Sequence, residues 1–432
     1  MQPSYQLEQA PTEKKVRKAV IAGAIGNVLE MYDWAIYGLY AAIISDQFFP
    51  ASDATASLLL TFGVFAVGFI MRPLGALFFG PLGDRVGRKK ALSISVIMMA
   101  VGTVLIGILP NYNQIGIAAP ILLVLARFIQ GFSAGGEWGG STTFLVEYAP
   151  KTRRGFFGSF QQVSTAGGVL LAALVSLAFS LMMTPETLNA WGWRLPFLIG
   201  ILPGLLGLYL RMRVDETPKF KEIEETQEHV KMPLKEIVTK YPIPFLKAIG
   251  FTIHWTVSYY IFINYMPAYM NKVLNLPFST ALAVNVTVLS FFIILIPIMG
   301  HLSDRIGRKP LLICSCLGFI VLSYPMFLLI GKEGILFVLL PQFILAIFES
   351  MYCGTGPTAL AELFPTKVRN TALSVGYNLA VAVFGGTAPF MATYLISVTN
   401  SKVSPTYYLI GCSIVTLLVL FTLRETKNDE LD

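Results

Sequence analysis

Charged side chains are scarce in this chain of 432 residues, and their scarcity excludes most classes of soluble protein. Asp, Glu, Lys and Arg together make up 13% of the residues, whereas the hydrophobic residues reach 55%. Soluble domains carry about 25% charged residues, and a disordered chain would lack the apolar content. The composition therefore predicts a protein that lies in a lipid bilayer.

Cysteine and histidine are also few, with four and three residues, and they form no recognisable metal or redox motif. Cys314 and Cys316 are spaced neither as a zinc pair nor as a redox CxxC. The phosphate-binding pattern GxxxxGK followed by Ser or Thr is absent, which excludes an ATP-driven pump of that kind. No nucleophile triad stands out. We therefore expect no enzyme activity, no metal and no cofactor apart from a transported proton.

Apolar segments long enough to cross a membrane recur twelve times along the chain. Most of the 32 Lys and Arg residues fall in the connections on one side, and only Lys272, Lys332 and Lys402 face the other. By the positive-inside rule, both termini and the central loop are cytoplasmic. The net charge of +7 therefore reflects membrane topology, and we expect no nucleic-acid partner.

Two pairs of repeated segments divide the chain into halves. GPLGDRVGRK at 80–89 recurs as GHLSDRIGRK at 300–309, in both cases between the second and third predicted helices of a half. Further along, EYAPKTRR in the first half is matched by ELFPTKVR in the second half. The predicted fold is therefore all-α: a polytopic membrane protein with twelve transmembrane helices in two parallel six-helix repeats.

The predicted organisation has five parts. They are a cytoplasmic tail at 1–18, an N-terminal six-helix bundle at 19–212, a cytoplasmic linker at 213–243, a C-terminal six-helix bundle at 244–423 and a second tail at 424–432. The linker is rich in Lys and Glu and contains prolines, which is typical of a solvated connection.

The repeated GxLxDRxGRK pattern resembles the signature loop of the major facilitator superfamily. Within it, GNVLEMYDWAIYG at 26–38, RPLGALFFGPLGDRVGRKK at 72–90 and RFIQGFSAGGEWGG at 127–140 resemble the metabolite:proton symporter family. The resemblance implies a monomeric, proton-driven importer in a bacterial inner membrane that works by alternating access. It also implies a small solute of the kind that includes organic acids, shikimate, proline and glycine betaine.

Ionisable side chains at membrane depth are costly, so each is a candidate for function. Glu30 and Asp33 in the first helix are predicted to share a face and to meet Arg127 of the fourth helix at one depth. Two carboxylates beside one guanidinium leave a negative charge in excess, so that one acid takes up a proton. We expect Glu30 and Asp33 to carry the coupling proton, with Arg127 balancing charge or holding a substrate carboxylate. The alternative is a static salt bridge.

Four other ionisable residues are predicted to lie at membrane depth. Glu137 is a further proton-coupling candidate and is predicted to pair with Arg72, whose place before Pro73 favours a structural role. In the second half, His254 is either a helix-contact histidine or a ligand of solute or proton, and Glu349 stays open between structure and function.

A pocket between the halves is predicted to combine aromatic rings with amide groups. Arg binds a carboxylate and ring faces attract a quaternary ammonium, which favours a zwitterion such as proline or glycine betaine. The alternative for any one ring is helix packing. The substrate-binding candidates are Asn27, Tyr32, Trp34, Tyr37, Arg127, Gln130, Trp138, Gln161, His254, Trp255, Tyr259, Asn264, Glu349, Tyr377 and Asn378, with Gln162 and Tyr260 beside them.

Other functions stay open at this point. A di- or tricarboxylate such as 2-oxoglutarate or citrate would need a second buried cation in the pocket, and apart from His254 the sequence indicates none. An efflux carrier of the same fold shares the signature loop. A receptor or channel is a third possibility.

Charges at the cytoplasmic face are candidates for a gate. Carboxylate and guanidinium groups can form a network that closes this face when the halves rock together and breaks when they part. The alternative is that they only anchor the topology. The gating candidates are Asp84, Arg85, Arg88, Glu147, Arg154, Asp304, Arg305, Arg308, Glu362 and Arg369.

Overall fold

A computed structural model describes residues 27–28, 30–51, 53–86, 88–134, 142–143, 145–147, 149–212, 242–364 and 366–427. The described part is built of helices and contains no strand. Its twelve main helices, α1 to α12, form two successive sets of six, as the sequence predicts. The predicted tail at 1–18 and residues 213–241 of the predicted linker lie outside the described residues.

The first half runs from α1 to α6. Its helices are α1 at 27–28 and 30–39, continued by Ala41–Phe48; α2 at Ala54–Val86; α3 at Arg88–Ile108; α4 at Ala118–Ser133, with further described parts at 142–143 and 145–147; α5 at Arg154–Met182; and α6 at Leu195–Ile199 and Ile201–Met212. Short helices at Tyr112–Ile115 and Pro185–Ala190 lie in the connections before α4 and α6.

The second half runs from α7 to α12. Its helices are α7 at Pro242–Tyr259, Tyr260–Tyr265 and Met266–Lys272; α8 at Phe278–Ile306; α9 at Arg308–Ile330; α10 at Ile335–Ala361; α11 at Thr366–Ala380, Val381–Gly385 and Ala388–Thr399; and α12 at Pro405–Phe421. Residues 242 and 243, which the prediction assigns to the linker, are already helical.

Six helices of the described part are long and apolar enough to cross a membrane by length and composition. They are Ala54–Phe79, Lys151–Met182, Phe278–Ile306, Arg308–Ile330, Ile335–Ala361 and Ala372–Thr399. About 20 residues suffice for a hydrocarbon core of about 30 Å. The other main helices are shorter as described, because turns or undescribed residues interrupt them.

Two helices of the second half contain a π-helical segment, Tyr260–Tyr265 in α7 and Val381–Gly385 in α11. A proline follows shortly after each, at Pro267 and Pro389. Proline cannot donate a backbone hydrogen bond and crowds the carbonyl group four residues earlier, so a wider turn relieves the clash. The widened turns lie together, because a Cβ atom on Gly385 would be only 2.9 Å from the Tyr260 ring.

Helices α5 and α8 join the halves at the end of the bundle that carries residues 300–309, called the loop end below. The opposite end is called the far end. A Cβ atom on Gly155 of α5 would lie 2.5 Å from the carbonyl oxygen of Gly300 of α8. The two backbones are therefore in direct contact, which only glycine permits.

Candidate transport site

Two buried arginines lie beside one tryptophan ring, between α1, α2 and α4. The Cζ atom of Arg127 is 4.7 Å from the centroid of the Trp34 ring, and that of Arg72 is 5.2 Å from it. Arg127 has no exposed surface and Arg72 is 3% exposed. Since aromatic faces attract guanidinium groups, Trp34 holds both cations against α1.

Arg127 has no carboxylate partner in the described part of the chain. Its guanidinium donates to Oε1 of Gln130 at 2.8 Å and to the Phe65 carbonyl oxygen at 3.4 Å. The Tyr37 ring centroid lies 4.5 Å from its Cζ atom. Neutral groups and rings therefore surround the positive charge of Arg127, which suits it to bind an anionic group.

Arg72 is paired with Glu30, which differs from the sequence-based prediction. Nη2 of Arg72 is 3.8 Å from Oε1 of Glu30, and the two side chains are 4% and 9% exposed. The prediction that Glu30 meets Arg127 is wrong, and the predicted partner of Arg72, Glu137, lies outside the described residues. The Tyr260 phenol lies within electrostatic reach of Arg72 and Glu30. The pair therefore borders the space between the halves.

Asp33 faces other helices than Glu30 does, because positions three apart on a helix differ in direction by about 60°. Asp33 is 3% exposed and lies beside the Thr103 hydroxyl of α3. A Cβ atom on Gly200 of α6 would be 2.8 Å from Oδ1 of Asp33, and this oxygen has no hydrogen-bond partner among the described residues. The predicted direct cluster of both acids with Arg127 is therefore wrong.

A chain of polar side chains connects Arg127 with the surroundings of Asp33. Arg127 donates to Gln130, and Nε2 of Gln130 donates to Oγ1 of Thr103 at 2.8 Å. Thr103 in turn lies beside Asp33. Two uncharged side chains, Gln130 and Thr103, therefore lie between Arg127 and Asp33, and the Thr103 hydroxyl donates to the Met99 carbonyl oxygen at 3.1 Å.

The second half contributes aromatic and amide groups to the same space. Tyr377 lies within electrostatic reach of Arg72 and Glu30, and its ring centroid is 5.5 Å from that of Trp255. Asn264 in the π-helical segment of α7 packs against α1. The buried predicted residues of this half are His254, Trp255, Tyr259, Asn264, Glu349, Tyr377 and Asn378.

Some predicted pocket residues have polar atoms without a hydrogen-bond partner in the described part. These atoms are Nε1 of Trp34, the side-chain amide of Gln161 and the hydroxyl group of Tyr259. Buried polar groups are nearly always hydrogen-bonded in folded proteins. These atoms are therefore suited to bind polar groups of a solute. Trp138, by contrast, lies outside the described residues.

Two predicted pocket residues are engaged inside the first half instead. The hydroxyl group of Tyr32 donates to the Pro196 carbonyl oxygen at 2.7 Å. The side-chain amide of Asn27 donates to Ser164 at 2.7 Å and to Thr165 at 3.0 Å. These contacts fix α1 to α6 and α5, so the geometry does not support solute binding by Tyr32 or Asn27.

His254 lies in the core of the second half. Its Nδ1 atom is 2.9 Å from the Ser413 hydroxyl oxygen, and its Nε2 atom is 3.2 Å from that of Ser315. The ring also meets the edges of Tyr352 and Phe319, with centroids 5.0 Å apart in both cases. Both ring nitrogens are thus engaged between α7, α9 and α12, which supports helix contact and not solute binding.

Predicted gate residues of the second half form a charged network at the loop end. The carboxylate oxygens of Asp304 accept the backbone N–H groups of Gly155 at 2.7 Å and Phe156 at 2.9 Å. Arg308 pairs with Asp304 at 2.7 Å and with Glu362 at 3.3 Å. A carboxylate of α8 thus binds the first turn of α5, where backbone N–H groups lack helical partners.

An ion pair also joins the two halves at the same end. Nη1 of Arg369 is 2.7 Å from Oε1 of Glu147. Nε of Arg369 donates to the carbonyl oxygens of Ala361 and Phe364, at and just after the end of α10. Thr358 donates to the Arg154 carbonyl oxygen at 3.1 Å. These contacts hold the end of α10 against the first half. Of the other predicted gate residues, Arg305 is exposed, and the side chains of Asp84, Arg85 and Arg88 lie outside the described part.

The segment after α12 adds a contact that the sequence does not predict. The carboxylate of Glu425 accepts the backbone N–H groups of Arg308 and Lys309, both at 2.9 Å, at the start of α9. Partial burial alone would raise the pKa of Glu425, but these donors and the charge of Arg308 outweigh it, so the pKa lies below its ordinary value. Glu425 therefore caps α9 and ties the end of the described chain to the loop end.

At the far end, an ion pair joins α1 to α7. Nζ of Lys272 is 2.7 Å from a carboxylate oxygen of Asp46, whose side chain is 52% exposed. The rings of Tyr40 and Phe278 also meet there, with centroids 5.5 Å apart. The sequence signal for this contact was Lys272 itself, one of few basic residues on that side of the predicted topology. Cross-half contacts at both ends define an occluded conformation.

Two six-helix halves around buried charged groups define a secondary transporter of the alternating-access class. A family model described as "Sugar (and other) transporter" matches residues 19–240, and one described as "Major Facilitator Superfamily" matches residues 284–431. The chain belongs to the major facilitator superfamily.

Relatives match almost the whole chain. The proline/betaine transporter of Escherichia coli (strain K12) is 36% identical over 426 residues, which cover 96% of this chain and 85% of the relative. The glycine betaine/proline/ectoine/pipecolic acid transporter OusA of Dickeya dadantii (strain 3937) is 37% identical over 426 residues, with the same coverage. The predicted membership of their symporter family is confirmed, and the chain is a transporter, not an enzyme.

Solved structures share the fold. The xylose transporter XylE from E. coli in a partially occluded inward-open conformation has a TM-score of 0.76 and 21% identity, covering 97% of this chain and 100% of that one. The proton:xylose symporter XylE bound to 6-bromo-6-deoxy-D-glucose has a TM-score of 0.77 and 19% identity, covering 98% of both chains. The predicted all-α fold of a multi-pass membrane protein is confirmed.

Proposed function

We propose that this chain is a proton symporter that imports a zwitterion such as proline or glycine betaine across the bacterial inner membrane. Both termini lie in the cytoplasm, so the loop end is the cytoplasmic end. The molecule works as a monomer in the lipid bilayer. Relatives whose names include proline and betaine, at 36–37% identity over nearly the full chain, support this choice of solute.

The observation that carries the proposal is the state of Arg127. Its guanidinium is buried, touches the rings of Trp34 and Tyr37 and has no carboxylate partner among the described residues. A solute carboxylate can supply the missing negative charge, while nearby ring faces accept the ammonium group of the same solute. One binding site thus satisfies both charges of a zwitterion.

A dicarboxylate is the second candidate, because the structure places a second buried cation, Arg72, beside Trp34. The sequence did not indicate this cation for the pocket. Glu30 already lies against Arg72, so a second solute carboxylate would have to displace a protein carboxylate from it. The pairing therefore favours a solute with one carboxylate.

Proton coupling is assigned to Asp33, with Glu30 balancing Arg72. Asp33 has almost no exposed surface and no ion pair in the described part. A carboxyl group in such surroundings is stable when it is neutral, that is, when it carries a proton. Loss of this proton alters the polar chain through Thr103 and Gln130, and with it the hold of Arg127 on the solute.

The test is uptake of labelled solute by proteoliposomes under an imposed pH gradient. Betaine, proline, 2-oxoglutarate, citrate and shikimate are compared, with Asp33→Asn as the variant and Glu333→Gln, an exposed carboxylate, as the control. We expect uphill uptake of a zwitterion that Asp33→Asn abolishes and Glu333→Gln keeps. Uptake of the dicarboxylates alone, or solute export driven by inward proton flow, would overturn the proposal.

A further inference from the structure

A second buried carboxyl group lies in the second half, at Glu349 of α10. Glu349 has no exposed surface. Its Oε1 atom accepts a hydrogen bond from the Cys353 thiol at 3.4 Å, and its Oε2 atom has no hydrogen-bond partner in the part of the chain that is described. The transport mechanism proposed above makes no use of this group.

The surroundings of Glu349 contain titratable groups but no cation among the described residues. The groups within reach are Ser258 and Tyr259 from α7, Cys316 from α9, and Tyr352 and Cys353 from α10 itself. Helices α5 and α8, which also pack against α10, add no ionisable group to this set. His254 is engaged by two serines. A carboxylate charge here would be uncompensated, whereas a protonated carboxyl group is not penalised in this way.

Glu349 is connected to the central site through two side chains. The Cys353 sulfur accepts a hydrogen bond from Nε1 of Trp255 at 3.2 Å. The Trp255 ring packs on Tyr377, which lies within electrostatic reach of Arg72. Two contacts, through Cys353 and Trp255, therefore join Glu349 to the residues between the halves.

Helix α10 also takes part in closing the loop end. Thr358 of α10 donates to the Arg154 carbonyl oxygen of the first half, and it lies nine residues, or about 14 Å along the helix, from Glu349. When the halves part at this end, the contacts of α10 with α5 break. Such a parting would open a route for water along α10 towards the carboxyl group.

We propose that Glu349 is a second proton-binding site, loaded while the far end is open and emptied when the loop end opens, so that two protons accompany each solute. The proposal rests on the proton symport proposed above. The only bond that forms and breaks is the O–H bond of the carboxyl group: the carboxylate takes one proton from the far side and releases it on the loop side.

The test is the ceiling of solute accumulation in proteoliposomes at a pH difference of about one unit, with the membrane potential clamped at zero. Each coupled proton contributes a factor of about ten, which corresponds to about 1.4 kcal/mol. We expect an accumulation ratio of about 100 for the unmodified protein and about 10 for Glu349→Gln. Glu333→Gln is the matched control and should keep the ratio of the unmodified protein.

Solute exchange without a gradient separates a coupling defect from misfolding, because exchange needs no net proton movement. Glu349→Gln should retain exchange while losing one factor of ten in accumulation. Equal ceilings for Glu349→Gln and the unmodified protein overturn the second site and leave the symport intact. No accumulation by the unmodified protein overturns both. If Glu349→Gln does not exchange solute, the number of protons that enter with each solute is measured for the unmodified protein. A ratio of two supports the second site, and a ratio of one overturns it.

Discussion

Nη2 of Arg72 on α2 is 3.8 Å from Oε1 of Glu30 on α1, next to the space where the two halves meet. Because of this pair, the two buried arginines of the site have different roles. Arg72 is balanced by a carboxylate of the protein, whereas Arg127 has none among the described residues. The site thus has one cation available for a solute.

The Arg72–Glu30 pair should behave as a coupled unit. We expect Arg72→Gln and Glu30→Gln each to lower the free energy of unfolding by about 3 kcal/mol, because each leaves a buried charge without its partner. The double variant should lose less than the sum, with a coupling energy of about 1–3 kcal/mol. Thermal unfolding in detergent measures all three variants, and strictly additive losses would contradict the pairing.

Arg127 should determine solute affinity. We expect Arg127→Lys to raise the KM for the zwitterion about 10- to 100-fold, because the ammonium group cannot reproduce the planar fork and charge-assisted hydrogen bonds contribute about 1.5–3 kcal/mol. Initial rates of uptake measure this change. Arg194→Lys is the control, since Arg194 donates to the Gly107 carbonyl oxygen away from the site. A similar KM in both variants would refute the assignment.

The two ends of the bundle should respond differently to loss of one carboxylate. Asp304→Asn weakens two charge-assisted hydrogen bonds to α5, worth about 1–3 kcal/mol, so hydrogen exchange of the Gly155 and Phe156 amides should accelerate about 5- to 100-fold. Asp46→Asn removes an exposed ion pair worth about 1 kcal/mol or less, so exchange near Lys272 should change by about fivefold at most. Equal effects at both ends would rule out this difference.

The cap by Glu425 should make stability depend on pH. The pKa of Glu425 lies below its ordinary value in the folded protein, so the cap stabilises fully above the unfolded pKa of about 4.3 and is lost as the pH falls through the folded pKa. Glu425→Gln should therefore lower the unfolding temperature at neutral pH and match the unmodified protein in strong acid. A gap that persists in acid would exclude this role, and Glu333→Gln serves as the control.

The architecture could be predicted from the sequence because its signals are local. Apolar length locates the helices, and the repeat of 80–89 at 300–309 assigns them to halves. The loop-end contacts of Asp304 and Arg369 could also be predicted, because charged residues at helix ends have few other polar groups within reach.

The pairing of side chains inside the bundle could not be predicted in the same way. Glu30 and Asp33 are close in sequence, yet a rotation of about 60° around the helix directs them to different neighbours. Tyr32 and His254 form hydrogen bonds with residues of other helices, and only the packing of α6, α9 and α12 reveals these partners. The depth of a side chain in the membrane can be estimated by counting residues along the helix, but the partner that it faces depends on how the neighbouring helices pack.

The ion pair between Asp46 and Lys272 is half open to the solvent, while the loop end is held by several carboxylate contacts, many of them buried. Exposed pairs are screened by dissolved salt, whereas buried ones are screened much less. An unloaded molecule should therefore open more readily at the far end than at the loop end. A higher salt concentration around the far end should therefore increase the fraction of molecules that are open at that end.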